Sequence, residues 1–418
     1  MSNESSSQGW IVTFAGTGIN LALGVLYSWS VIAKALTKEW QWSASDASLP
    51  YAVACGVFAL VMVFAGRAQD KIGPRLVATL GGVCAGLGLI ISSFGSKGNI
   101  TPIVIGFGLL IGAGMGLGYA SATPPAVKWF PPYKKGLITG LVVSGFGLAS
   151  VYISPLTNFL LGSMGINKTF MTLGIAFFIA IVILAQFLKN PPAGYIPAGM
   201  PVVGSAKHRA ARHEYDWHEM IKTPQFYLLW LMFAFGSFAG LMIIGHMAKI
   251  AAKQLPGVTA LGFILVAILA IGNAGGRILA GVISDKLGRT RTLLIFFILQ
   301  AVFMGLLAQA NTSLLLMVAA LVIGMAYGAN LSLFPSTTAD FFGTKNMGVN
   351  YGLVFTSWGV GGVFGAMVAG KIVDTTGSYN TAFVVAAVLC VCGAALTFIT
   401  NAPQTVLVTK EFPLMTRE

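Results

Sequence analysis

Arg277 is the residue around which the chemistry of this chain can be built. It stands in the apolar run Thr259 to Ile283, long enough to cross the hydrocarbon of a bilayer as a helix. A charged side chain at such a depth is costly and normally faces a bundle interior or a water-filled cavity. Asn273 comes four residues earlier, on the same helix face. Gly272, Gly275 and Gly276 leave room for a neighbouring backbone or a ligand. The guanidinium keeps its charge at any physiological pH, and its planar fork of donors fits a carboxylate. Eight residues separate Arg277 from Asp285. That places it about 12 Å along the helix axis from the loop, too deep for comfortable snorkelling. This face is expected to bind an anion inside a membrane.

Charge counting narrows the anion. Of the 12 acidic residues none falls at mid-membrane, and Asp340 and Asp374 sit at the ends of apolar segments. One deep cation without a carboxylate partner asks for one bound negative charge. A monocarboxylate neutralises it, whereas a dicarboxylate leaves an uncompensated charge in low dielectric. Lactate, pyruvate, glycolate and formate therefore fit better than oxalate.

The elements that must position this site are membrane helices. The chain is 56% hydrophobic and 9% charged, against about 25% charged in soluble domains. Glycine is abundant, at 52 of 418 residues, as expected where helices pack closely in lipid. Twelve apolar segments are predicted, at 10–33, 49–66, 76–95, 101–127, 136–161, 169–188, 225–248, 259–283, 292–310, 313–338, 347–370 and 380–400. The fold class expected is an all-α membrane protein with two pseudo-symmetric six-helix bundles. The bundles take 1–189 and 225–418, and a polar, Pro-rich linker spans 190–224. His208 and His213 in that linker share no spacing with a Cys or a paired acid, so a solvated linker is the better reading than a metal site.

The net charge of +13 follows topology, with no nucleic-acid partner implied. With both termini inside, 17 of the 25 Lys and Arg lie on the inner side, seven lie outside, and Arg277 is the remaining one. That bias puts both ends in the cytoplasm, and the protein in the cell (inner or plasma) membrane. Cys55, Cys84, Cys390 and Cys392 all fall in apolar segments and read as packing residues. The N-terminus lacks the basic region and small-residue site of a cleaved signal peptide. No cofactor is expected, and the chain is expected to work as a monomer.

The two halves repeat. Gly66, Asp70, Lys71 and Gly73 form a G-x-x-x-D-K-x-G loop after segment 2. Gly281, Asp285, Lys286 and Gly288 repeat it after segment 8, 215 positions later. A second match, offset by 212, aligns Phe130, Gly136 and Gly140 with Phe342, Gly348 and Gly352. Internal repeats of this kind mark transporters, with the substrate held near the midplane between them. Asp70 and Asp285 invite a proton-site reading, but beside Lys and Arg at the rim they are expected to pin loops to helix ends.

The two G-x-x-x-D-K-x-G loops resemble the signature of the major facilitator superfamily. Within it, Tyr27-Ser28-Trp29, Lys222 to Phe226, Leu333 to Ser336 and Asn350-Tyr351-Gly352 resemble the oxalate/formate antiporter family, a neighbour of the monocarboxylate transporters. The resemblance implies alternating access and transport of small carboxylates. The arginine common to both groups falls on Arg277. The lysine of the oxalate exchangers falls on Trp358, and the aspartate that animal monocarboxylate transporters carry four residues before the arginine falls on Asn273. Neither substrate list therefore transfers whole.

In the segments that face the cavity in this superfamily, the candidate partners of the anion are Tyr27, Tyr119, Tyr327, Phe355 and Trp358. A tyrosine offers an apolar face and one hydroxyl to a small amphiphilic anion. Each of the five also suits plain helix packing. Tyr119 stands among Gly112, Gly114, Gly116 and Gly118, so its ring is expected to project into open space. Asn330 either bonds substrate or satisfies a neighbouring backbone. His246, near the outer end of segment 7, is either an external proton acceptor or an interfacial residue with a structural hydrogen bond.

The expectation is a proton-coupled transporter of small monocarboxylates, with obligatory carboxylate exchange as the alternative. A channel would show rings of like residues or a filter. An enzyme would show a paired acid and base, a nucleophile with a positioned His, or a metal cluster in the apolar segments.

Overall fold

The computed structural model describes residues 2–42, 44–192, 194–197, 213–255 and 261–403. His208, Arg209, Arg212 and Thr259 lie outside these, as does the side chain of Asp374. Among the described residues the chain is helical, with no strand beyond one isolated bridge.

Among the described residues eleven helices are long and apolar enough to cross a membrane. One of them, Pro132–Ala185, has 54 residues, about 80 Å at 1.5 Å per residue and more than twice the hydrocarbon thickness. It breaks at Gly165, whose φ of 76° and ψ of 176° belong to a region open essentially to glycine alone. Beside the break, the Asn167 amide donates to the carbonyls of Ser93 and Gly95, at 2.6 and 2.8 Å. With this helix counted as two, the described residues hold twelve helices that can span a membrane.

The helices are α1 (Ser7–Glu39), α2 (Ala44–Ile72), α3 (Pro74–Ser92), α4 (Thr101–Lys128), α5 (132–164), α6 (166–185), α7 (Pro224–Gln254), α8 (Leu261–Leu287), α9 (Arg289–Leu307), α10 (Ser313–Phe342), α11 (Met347–Thr376) and α12 (Asn380–Thr397). Several overrun the predicted segments. The expected 49–66 and 347–370 end where hydropathy falls, but α2 and α11 continue as amphipathic turns into the rim. In α1 the winding tightens to a 3-10 turn at Gly24–Ser28. There a side chain on Gly24 would collide with Ala149 of α5.

The first six helices pack together, as do the last six, and the two sets meet where α5 crosses α8 and α2 crosses α11. Both crossings are built on glycine pairs. A Cβ on Gly136 or Gly281 would strike the other's carbonyl, and Gly348 and Gly66 stand in the same relation. The 215 and 212 offsets of the sequence repeat thus reappear as two related crossings.

The loop carboxylates close the same end. Asp285 accepts from the backbone N–H groups of Gly136 and Leu137, both at 2.8 Å. Asp70 accepts from the N–H of Val349 at 3.0 Å. Each carboxylate therefore caps the first turn of a helix in the opposite half, where free N–H groups and the helix dipole favour an anion. Asp285 also pairs with Arg289 at 2.8 Å. Arg289 reaches Asp340 at 2.7 Å, and Asp340 reaches Lys135 at 3.1 Å. Gly73 and Gly288, with φ of 92° and 89°, turn the chain sharply into α3 and α9. Lys71 and Lys286 are exposed.

Candidate substrate site

Helix α8 carries Arg277 and is pressed against α10 by small residues. Side chains on Gly272, Gly276, Gly324 or Gly328 would each collide with backbone of the facing helix. Arg277 is completely buried, its guanidinium against α5. Its Nε donates to the Asn273 Oδ1 at 3.1 Å. Its Nη1 donates to the main-chain carbonyl of Val143 in α5. Its Nη2 has no hydrogen-bond partner among the described residues. Gly147, one turn beyond Val143, makes room for the guanidinium: a Cβ there would lie 3.1 Å from Nε and 3.3 Å from Cζ.

Arg277 lines a cavity shared by both halves. Tyr27 (α1), Phe58 (α2), Tyr119 (α4) and Phe146 (α5) come from the first, and Tyr327 and Leu331 (α10), Phe355 and Trp358 (α11) from the second. The cavity is nearly filled by the rings, with a free volume of about 10 Å³, room for about one water. Anything larger than a water needs the rings to part. Phe355 stacks on Trp358 at 5.0 Å, and Tyr27 meets Phe146 edge-on at 5.4 Å. The Trp358 Nε1 donates to the Tyr327 hydroxyl at 2.9 Å, leaving that hydroxyl its own proton to give. The Tyr119 hydroxyl stands close to that of Tyr351, without reaching hydrogen-bond geometry.

Six of the residues singled out in the sequence line this space: Arg277, Tyr27, Tyr119, Tyr327, Phe355 and Trp358. Asn273 stands behind the guanidinium and orients it. The Tyr119 ring does not project into open space: it packs on Phe58, Phe146 and Phe355 at 5.6 to 5.7 Å. Its glycine neighbours let α2 and α3 lie close to α4, and the ring's own packing comes from α2, α5 and α11. Asn330 is buried away from the cavity, against Gly236 of α7 and near Phe297 of α9. His246 lies at the far end of α7 with its Nδ1 3.2 Å from the Tyr379 hydroxyl.

Phe58, Phe146, Leu331 and the Val143 carbonyl were not anticipated, although the repeat contained the signal. Shifted by 215, Phe58 falls on Asn273 and Met62 on Arg277. Shifted by 212, Phe146 falls on Trp358, Tyr119 on Leu331 and Val143 on Phe355. The cavity is therefore made of paired positions with unlike chemistry. Asn273 and Arg277 in one half answer to Phe58 and Met62 in the other, and of the latter two Phe58 lines the cavity.

The model of the Major Facilitator Superfamily matches residues 9–289 and 247–414. The oxalate:formate antiporter of Oxalobacter formigenes is 30% identical over 373 residues, covering 87% of this chain and 84% of that protein. Monocarboxylate transporter 13 of Rattus norvegicus is 23% identical over 393 residues, covering 93% and 88%. The crystal structure of the E. coli fucose:proton symporter superposes with a TM-score of 0.70 at 15% identity, covering 94% of this chain and 98% of that one. That last likeness concerns the fold. Twelve crossings, two related halves and a cavity between them belong to a transporter rather than an enzyme, and the chain is a member of the Major Facilitator Superfamily, related to the oxalate:formate antiporter and the monocarboxylate transporters.

Proposed function

We propose that the protein is a secondary active transporter of small monocarboxylates of the lactate and pyruvate type, coupled to protons and working by alternating access. The observation that carries this reading is the Arg277 Nη2, buried, without a hydrogen-bond partner among the described residues, on a residue that lines a cavity otherwise walled by aromatic and aliphatic groups. A carboxylate there gains charge-assisted hydrogen bonds, and its carbon skeleton meets rings. Among the described residues no acidic side chain lines the cavity, which supports one negative charge per bound substrate. In this reading 1–189 and 225–418 are the two moving bodies, 190–224 links them, and both termini face the cytoplasm of a cell membrane. The end closed by Asp70 and Asp285 is then the cytoplasmic one.

Obligatory exchange is the second reading. Its support is that Arg277 has hydrogen-bond acceptors in Asn273 and Val143 but no neutralising charge, so an empty return moves a bare buried cation. Uptake of labelled lactate, formate and oxalate into proteoliposomes decides between the two. Lactate uptake into empty vesicles driven by an inward proton gradient is the expected result. Uptake that requires carboxylate inside and ignores pH establishes exchange, and no uptake of any carboxylate ends both.

A further inference from the structure

Phe58 is buried to 1% exposure in the middle of α2. Its ring lies 5.7 Å from Tyr119, 6.0 Å from Phe146, 5.2 Å from Phe355 and 5.6 Å from Trp358. All four of those rings line the cavity of Arg277, as does Phe58 itself. They come from α4, α5 and α11, so Phe58, like Tyr119 with its contact to Phe355, joins the two halves through aromatic surface.

Its place in the repeat gives that position a meaning. The internal relationship that carries Asn273 onto the opposite half carries it onto Phe58. Asn273 holds the guanidinium, and Phe58 occupies the related place on the apolar wall. Arg277 and Phe58 line the same small cavity, so a carboxylate seated on Arg277 would share with this ring a space that leaves little slack for a longer tail. From this we infer that Phe58 is a specificity-determining residue that gauges the length of the carboxylate's carbon chain. The inference rests on the carrier reading above.

Competition against labelled lactate uptake by the full chain in proteoliposomes tests it, using straight-chain acids from acetate to hexanoate. Phe58→Ala opens the apolar wall. Each further methylene that finds apolar contact is worth about fourfold in affinity. The hexanoate-to-acetate ratio of half-inhibiting concentrations is therefore expected to fall about tenfold or more, with the acetate value nearly unchanged. Phe58→Trp fills the wall and is expected to move the ratio the other way. Phe58→Leu keeps most of the packing and gives a smaller shift in the Ala direction, so the measurement survives if Phe58→Ala does not fold. A role confined to helix packing would change uptake of every acid alike. Folded variants that transport lactate but keep the wild-type chain-length profile overturn the inference. Carboxylate uptake that persists in Arg277→Ala overturns the site reading instead, whatever the Phe58 variants do.

Discussion

Arg277 in α8 and Val143 in α5 are joined by a hydrogen bond from guanidinium Nη1 to main-chain carbonyl, and that bond crosses between the two halves at the level of the cavity. A carboxylate gripped by both Nη atoms competes with the Val143 carbonyl for Nη1. In the proposed site, substrate binding and the contact between the halves would thus draw on the same donor. Arg277→Lys keeps the charge but not the two-pronged geometry. It is expected to reduce lactate uptake at least about tenfold, since one charge-assisted hydrogen bond is worth about 1.5–3 kcal/mol. Arg277→Ala should abolish uptake while the protein remains folded by thermal denaturation. Wild-type uptake by folded Arg277→Ala would remove Arg277 from the site.

Gly147 tests the same geometry from the other side. A methyl group at this position meets the guanidinium at 3.1 to 3.3 Å and displaces it. Alanine is also the better helix former by about 1 kcal/mol. Gly147→Ala is expected to raise KM for lactate severalfold without lowering Tm. Unchanged KM would mean that the guanidinium does not hold this place when substrate binds.

At the closed end the two loop carboxylates are unequal. Asp285 has two backbone donors and a buried pairing with Arg289, whereas Asp70 has the Val349 N–H and no ion pair of its own within 4 Å among the described residues. Removing one member of a buried ion pair costs about 3–5 kcal/mol. Thermal denaturation in detergent should show a larger loss of Tm for Asp285→Ala than for Asp70→Ala, and equal losses would contradict the assignment.

Trp358 stands where an oxalate exchanger carries lysine, and its indole N–H is committed to Tyr327. Trp358→Lys places a second cation in the cavity, so inhibition of lactate uptake by oxalate should strengthen about tenfold or more relative to inhibition by formate, on the scale of one charge-assisted contact. Wild-type protein that binds oxalate much more tightly than lactate would show the charge count to be wrong.

Proton coupling makes a signed prediction. Lactate uptake into empty vesicles should rise as the outside is acidified, and a protonophore should abolish the rise. Asn273→Asp should steepen that dependence. An ionised aspartate 3 Å or so from Nε, where the amide oxygen now sits, neutralises Arg277 and opposes a carboxylate; acidification protonates it and frees the guanidinium. A flat pH profile in both proteins would exclude coupling through this site.

Much of this architecture is legible in the amino-acid order because it rests on local rules. Twelve apolar stretches of spanning length follow from bilayer thickness. Gly165 falls between the predicted fifth and sixth segments, at the break in the long helix. Arg277 and Asn273 had to share a helix face because they are four residues apart. Which side chains would meet around them was a different matter. In a soluble helix the polar stripe tells outside from inside, but here lipid and core are both apolar, so Phe58, Phe146 and Leu331 carry no periodic mark of the side they face. Asn330 illustrates the converse: a polar residue three positions after Tyr327 turned to Gly236 and Phe297 instead of the cavity, because a helix rotates its residues by about 100° per position and only packing against α7 sets the origin of that rotation. The Val143 carbonyl, a backbone group present at every position, became a partner of Arg277 only when Gly140 and Gly147 let α5 lie against α8.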